Sequence, residues 1–114
     1  MHFTTTVRVW QAVGGVEGVF DPLLATWTLK FETRAFVEPL GDSAVKTLFA
    51  DMRAEGARIW LDGAHPEVGY RWLIKDVVDG VFYLVEPAAP RRYGTGIRHL
   101  EANARRLLMG PPGL

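Results

Sequence analysis

The clearest pattern in the chain is "TWTLKFETRAFVEP", which spans residues 26–39. Every second position is apolar or small: Trp27, Leu29, Phe31, Thr33, Ala35 and Val37. Apart from Phe36, the positions between them and after Val37 are polar: Thr28, Lys30, Glu32, Arg34 and Glu38. Since successive strand side chains point to opposite faces, this alternation predicts a long strand with one buried face, as in antiparallel sheets. Pro39, which has no N–H to donate, closes the strand.

Shorter stretches on both sides predict further strands. In "TTTVRVWQAV", residues 4–13, Val7, Val9, Gln11 and Val13 share one face and Arg8 and Trp10 the other. A short strand is predicted at "ARIWLD", residues 57–62. The stretches "YRWLIKDVV" and "VFYLVEP" flank Asp79-Gly80, a strong hairpin signal because a type I′ turn needs positive φ at both central residues.

One segment has helical periodicity. In "GDSAVKTLFADMRAEGA", residues 41–57, an apolar stripe recurs at i, i+3, i+4 and i+7: Val45, Leu48, Phe49 and Met52. Asp42 or Ser43 supplies an N-cap. Gly56 stands just after the predicted helix, where a glycine in the left-handed backbone conformation commonly ends a helix. We therefore expect one short helix over about 43–55.

The last segment, "IRHLEANARRLLM", fits two structures. Its alanine and leucine content favours a helix by propensity. Leu100, Ala102 and Ala104 nevertheless alternate with His99, Glu101 and Asn103 as in a strand. The residues alone leave both open, and residues 110–114 are expected to form a flexible tail.

The order of the elements defines the expected fold class. Sequential strands without alternating helices argue against a parallel α/β sheet. We predict a mainly β protein, a small antiparallel β-barrel or sandwich of about six strands with one short α-helix. Long loops are expected at 14–26, 62–70 and 86–97. The chain has 114 residues, which suits a single barrel domain over 1–109.

Composition limits the possible functions. The chain has no cysteine, which excludes a disulfide framework and thiolate metal sites. No apolar run is long enough for a membrane helix, and the first residues lack a signal-peptide core, so we expect a soluble intracellular protein. Residues 1–90 hold 8 basic and 12 acidic residues, and residues 91–114 hold five arginines against Glu101 alone. Opposite charge on the two parts fits complementary contacts between protein surfaces, and it fits equally well arginines that are merely solvated.

No motif for catalysis is apparent in the sequence. His2, His65 and His99 are far apart, and the single serine, Ser43, is explained as a helix cap. Gly94 and Gly96 lack the Lys-Ser/Thr of a phosphate-binding loop. We therefore expect no enzyme activity, no cofactor and no metal.

The order of the pieces resembles a known family. "VRVWQAV", "GGVEGVFDP", "ATWTLKFETRAFVEP" and "DGVFYLVEPAAPRRYGTGIRHLEANARRL" together are similar to the small head–tail connector proteins of tailed bacteriophages (siphophages), of the head-completion or stopper type. The end of the chain carries most of the resemblance: an Asp-Gly hairpin with Tyr83 and Val85, a Pro/Gly loop, then "HLE" and Arg105-Arg106.

The resemblance implies a role in the virion neck, after assembly in the host cytoplasm. A β-barrel protomer would form a homo-oligomeric ring, a hexamer or dodecamer. Its partners would be portal and adaptor proteins on the head side and a tail terminator or tail tube protein on the tail side. Double-stranded DNA would pass through or be retained in the channel without sequence specificity, and no membrane is involved. The resemblance also implies a strand, not a helix, for the last segment.

Nine residues are candidates for the contacts of such a ring. The basic end of the chain contributes Arg91, Arg92, Tyr93, Arg98, Arg105 and Arg106, and the other candidates are Phe20, Trp10 and Trp60. Three alternatives stay open: a tail terminator or another ring protein of the neck or tail, a single-stranded nucleic-acid-binding barrel that uses Trp and Arg, and an enzyme of unknown reaction. A strongly salt-dependent affinity for oligonucleotides would favour the nucleic-acid reading.

Overall fold

The computed structural model describes residues 3–13, 20–40, 55–63, 68–86, 91–93 and 99–114, with the backbone alone at 91–93 and 99. Seven strands lie within these ranges: β1 (Thr5–Ala12), β2 (Trp27–Pro39), β3 (Gly56–Asp62), β4 (Leu73–Asp76), β5 (Val81–Val85), β6 (Arg91–Tyr93) and β7 (His99–Arg106). Apart from Glu55, the predicted helix at 43–55 lies outside the described residues.

Six of these strands close into a small antiparallel barrel. The order along the sheet is β3-β2-β1-β4-β5-β7, and β3 also pairs with β7, so no edge is left at either side of this ring of strands. Closure removes unpaired backbone groups that would otherwise invite aggregation. The prediction of a mainly β protein with a small antiparallel barrel is confirmed.

The last segment is the strand that closes the barrel. On one edge β7 pairs with β3 from His99 to Arg105. On its other edge it pairs with β5 near Arg106 and with β6 near His99. Because this pairing engages both edges, it outweighs the helical propensity of the alanines and leucines. The short strand β6 lies inside the stretch predicted as an uninterrupted loop at 86–97, and that prediction was wrong.

Alternate residues of the strands fill the barrel. Directly paired residues point to the same face of a sheet, so Val7 shares the inner face with its partners Thr33 and Asp76. The buried inner cluster consists of Val7, Val9, Ala35, Ala57, Ile59, Leu61, Val68, Ile74, Val85, Leu100 and Ala104. The period-2 pattern of the sequence therefore marks the core correctly over most of each strand.

The long strand β2 departs from its apparent alternation. Val9 pairs with Phe31, but the next residue, Trp10, pairs with Leu29, so Lys30 has no partner on β1. This bulge moves Leu29 to the outer face with Trp10, and Leu29 is 55% exposed. The prediction that Trp27 and Leu29 share the buried face of Phe31 was wrong, because a bulge reverses the alternation of the residues beyond it.

The hairpin at Asp79-Gly80 is present, but its turn differs from the expected type I′. Val77 to Gly80 separate β4 from β5, and the Gly80 N–H donates to the Asp76 carbonyl at 2.8 Å. Of the two predicted central residues Gly80 alone has a positive φ, 74°, as in the longer hairpin loops built around a type I turn. Gly56 is not left-handed either; it begins β3.

The chain after β7 covers an apolar patch on the outside of the barrel. This outer patch consists of Trp10, Leu73, Phe82 and Leu84, which share a face by strand pairing. The Leu107 N–H donates to the Phe82 carbonyl at 2.9 Å, and the Lys75 ammonium donates to the Leu114 carbonyl at 2.8 Å. Pro111 is buried. The flexibility expected of residues 110–114 stays a prediction.

Candidate functional site

The two ends of the barrel bring together different groups of residues. β1 begins at Thr5 beside Asp76 and Tyr83, and we call this the pocket end. The opposite end, which we call the β6 end, holds β6, the start of β7 at His99 and the turn at Tyr70. Since the strands run between these ends, each predicted contact residue that the structure describes can be assigned to an end or to the barrel wall.

The basic residues Arg91 and Arg92 lie in β6. Arg91 pairs with Glu101, and Tyr93 pairs with His99, through the backbone. Among the described strands, β6 pairs with β7 alone. Arg98 lies outside the described residues. Three of the predicted contact residues, Arg91 to Tyr93, are thus anchored through the backbone to the closing strand at the β6 end.

Arg105 and Arg106 are engaged within the chain. Arg106 Nη1 donates to Glu55 Oε2 at 3.0 Å. Arg105 Nε lies 3.1 Å from Glu86 Oε1, although its N–H is not aligned as a hydrogen bond to that oxygen. Surface pairs of this kind contribute little stability, but they neutralise two of the arginines that were expected to meet a partner.

A third ion pair lies across the outer wall of the barrel. Arg58 Nε is 2.8 Å from Glu101 Oε1, and Arg58 Nη1 is 4.0 Å from Glu38 Oε1. Glu101 is 8% exposed, so the guanidinium stabilises a carboxylate with little access to water. This group links β2, β3 and β7, and nothing in the sequence pattern marked it.

An arginine between two aromatic rings stands at the β6 end. The Arg71 guanidinium carbon is 5.0 Å from the Phe20 ring centroid and 4.9 Å from that of Tyr70. Phe20 meets Trp27 edge to face at 5.9 Å. Arg71 has φ 61°, the one positive value among the non-glycine residues described, and such backbone strain clusters at functional positions. Phe20 was a predicted contact residue; Arg71 was missed, because no local signal marks a left-handed arginine.

The two tryptophans among the candidates have different surroundings. Trp10 is 5% exposed and packs on Phe82, with ring centroids 6.4 Å apart. Little of its ring therefore remains for a neighbouring protein. Trp60 is half-buried on β3, where it pairs with Phe36 and Glu101. Part of its side chain is therefore exposed on the outer wall of the barrel.

A pocket of about 330 Å³ opens at the pocket end. Its lining includes Thr5, Val37, Asp76, Asp79 and Tyr83. Asp76 is 4% exposed, and its Oδ1 accepts from the Thr5 hydroxyl at 2.8 Å and from the Val78 N–H at 3.0 Å. The Asp79 N–H lies 3.4 Å from the same oxygen. A buried carboxylate needs such donors, and these also hold the hairpin turn.

Tyr83 stands on the inner face of β5 beside this carboxylate. Burial and the negative charge of Asp76 raise the pKa of the Tyr83 phenol above its usual value. The phenol therefore stays protonated at neutral pH and can donate a hydrogen bond. The pocket end thus combines a buried carboxylate, an exposed one and a neutral phenol.

Two further properties concern metals and membranes. Within the described ranges, no three His, Asp or Glu side chains gather as a metal site requires. No helix in that part of the chain is long and apolar enough to cross a membrane.

Comparisons with known proteins show the fold alone. No family model and no curated protein matches the chain. Among solved structures, it is similar to protein SF1141 from Shigella flexneri 2a, determined in solution as a structural-genomics target, with 14% sequence identity and a TM-score of 0.64. The similarity covers 93% of this chain and 94% of that chain. The same barrel is therefore built from largely different side chains.

Proposed function

We propose that the chain is a head–tail connector of the stopper or head-completion type in a tailed bacteriophage. Copies form a homo-oligomeric ring between the portal–adaptor complex and the tail, and double-stranded DNA passes through or is retained in the channel. The role is structural rather than catalytic. The protein resides in the virion neck after assembly in the host cytoplasm.

The pairing of β7 is the observation that carries this proposal. The family resemblance implies a strand after the Pro/Gly loop, whereas composition alone favours a helix. β7 runs from His99 to Arg106 and closes the barrel between β3 and β5. The Asp79-Gly80 hairpin precedes it, as the resemblance implies, with Tyr83 and Val85 on the inner face.

The position of the basic residues supports the same role. Arg91 and Arg92 lie on a strand at one end of the barrel, where a contact with another neck protein would leave the barrel wall undisturbed. Electrostatic contacts of this kind select partners and orientation more than they add affinity. Reversal of both arginines to glutamate should therefore block joining of heads to tails while the protomer stays folded.

Deletion of the coding sequence from the genome that carries it tests the proposal. The expected result is DNA-filled heads beside unjoined tails in electron micrographs, with joining restored by the wild-type chain and not by R91E/R92E. Lys30→Glu, a charge reversal on the barrel wall, is the matched control and should restore joining. Normal particles without the chain, or its absence from purified particles, would refute the connector role.

Two other outcomes would identify the alternatives. Tails of abnormal length with intact heads would indicate a tail terminator. Tight binding of single-stranded oligonucleotides by the isolated chain, weakened steeply by salt, would indicate a nucleic-acid-binding barrel.

A further inference from the structure

The interior of the barrel is open at the pocket end. Four strands contribute inward-facing residues to the wall of the pocket, which measures about 330 Å³: Thr5, Val37, Asp76 and Tyr83. A cavity of this size in the mouth of a β-barrel is a common place for a small ligand or for one side chain of a partner. The connector role gives this pocket no task. Its lining therefore indicates which further ligand the chain can hold.

One part of the lining consists of oxygen acceptors. Asp76 is 4% exposed, and its three described donors all converge on Oδ1: the Thr5 hydroxyl and the N–H groups of Val78 and Asp79. A carboxylate accepts through both oxygens, so Asp76 can take a further donor at Oδ2. The exposed carboxylate of Asp79 lies beside it on the turn. Among the described lining residues none is cationic, and Arg34, at the same end of β2, lies on the outer face.

Another part of the lining is apolar. Val37 is half-buried in the pocket, whereas Pro39 and Val78 are exposed at its rim. Val78 is 74% exposed. An aliphatic chain that lay against these side chains would remove apolar surface from water, which is favourable. The pocket therefore fits an amphipathic group that has an apolar stem and a polar head with hydrogen-bond donors.

Four described charges act on the phenol of Tyr83 at this mouth. Burial and the negative charge of Asp76 raise the pKa of Tyr83. Asp79 and Glu55 raise this pKa as well, whereas the guanidinium of Arg106 lowers it. Arg106 pairs with Glu55 at 3.0 Å, so the charges of these two side chains largely offset each other. The charges of Asp76 and Asp79 remain, and they attract a cation more strongly in a partly buried site than in water.

We propose that this pocket binds a primary ammonium group on an aliphatic stem. The ammonium has three N–H donors and no acceptor, and the carboxylates of Asp76 and Asp79 and the phenol oxygen of Tyr83 accept from it. A guanidinium fits less well, because its fork takes both oxygens of one carboxylate and Oδ1 of Asp76 already accepts within the chain. A free alkylamine and a lysine side chain of another protein present the same group. The site does not depend on the connector role.

Butylammonium chloride is the probe that tests the site. In an NMR titration of the isotope-labelled chain, it should shift the amide resonances of Val78 and Asp79 until they saturate, whereas the neutral isostere butanol should not. Asp79→Asn should weaken the binding about tenfold, because one of two carboxylates is lost. Glu32→Gln, which removes an exposed carboxylate on the barrel wall, is the matched control and should leave the affinity unchanged. Equal shifts with butanol, or equal affinity of wild type and Asp79→Asn, would overturn the inference.

Two further probes identify the head group and its source. Butylguanidinium has the same stem and a planar head group, and it should bind more weakly than butylammonium; tighter binding would overturn the assignment of an ammonium. N-acetyl-lysine methylamide carries the ammonium on a protein backbone. Binding as tight as that of butylammonium would identify the ligand as a lysine side chain of a partner. Weaker binding would identify it as a free alkylamine.

Discussion

The Thr5 hydroxyl donates a 2.8 Å hydrogen bond to Oδ1 of Asp76, although the two residues are 71 positions apart in the chain. The bond ties the start of β1 to the turn between β4 and β5. Thr5→Val keeps the shape of the side chain and removes the donor to a buried carboxylate, so the free energy of unfolding should fall by about 1.5–3 kcal/mol. Urea denaturation measures this change in the free energy of unfolding. Thr6→Val, on the other face of β1, is the control and should change stability by less than half as much.

Gly110 lies against the ring of Phe82. A Cβ at Gly110 would come within 2.3 Å of that ring, so Gly110→Ala must displace either the ring or residues 110–114. We expect a loss of roughly 1–3 kcal/mol in thermal or urea unfolding. Phe82→Leu in the same chain should relieve part of the clash, and the double-mutant cycle measures the coupling. A Gly110→Ala chain as stable as wild type would mean that this segment is free in solution, as the sequence predicts.

Gly80 has φ 74° and open space where a Cβ would stand. Gly80→Ala should therefore lose about 1 kcal/mol through backbone strain and nothing through steric contact. Gly80→Asn should lose less, because asparagine tolerates the left-handed region. Equal losses for the two variants in urea denaturation would contradict this account of the turn.

The raised pKa of Tyr83 has a consequence for stability at high pH. Since the folded-state pKa lies above the unfolded value of about 10, the folded chain holds its proton longer than the unfolded chain. This difference in pKa contributes to the stability of the folded chain. The contribution is complete below pH 10 and is lost as pH rises through the folded pKa. Unfolding curves between pH 9 and pH 12 should therefore show wild type losing more stability than Tyr83→Phe. Parallel curves would refute the raised pKa.

Local patterns were sufficient to predict most strands and the hairpin between β4 and β5. The bulge opposite Val9 was not predictable, because the alternation through Leu29 and Phe31 is unbroken in sequence. A bulge is a property of the pairing between two strands, and nothing in the sequence around Lys30 indicates one. The same limit applied to the turn at Asp79-Gly80, whose length depends on where β4 and β5 stop pairing.

The candidate contact residues were predictable in part. Arg91 and Arg92 stand out by charge, and their strand places them at one end of the barrel. The intramolecular partners of Arg105 and Arg106 were not foreseeable, since Glu86 and Glu55 are distant in sequence. The aromatic surroundings of Arg71 and the buried position of Asp76 likewise arise from residues that meet only on folding.

The sequence by itself determined the class of the protein: period-2 alternation and turn residues predict a small antiparallel β domain, and the absence of cysteine means that an apolar core, not disulfides, must stabilise it. Tertiary structure alone decided that the last segment is a strand, that Leu29 faces outward and that Asp76 is buried beside Thr5. The physical reason is that side-chain alternation is a local property of each strand. Register, closure and the burial of Asp76 depend instead on hydrogen bonds between strands far apart in the chain.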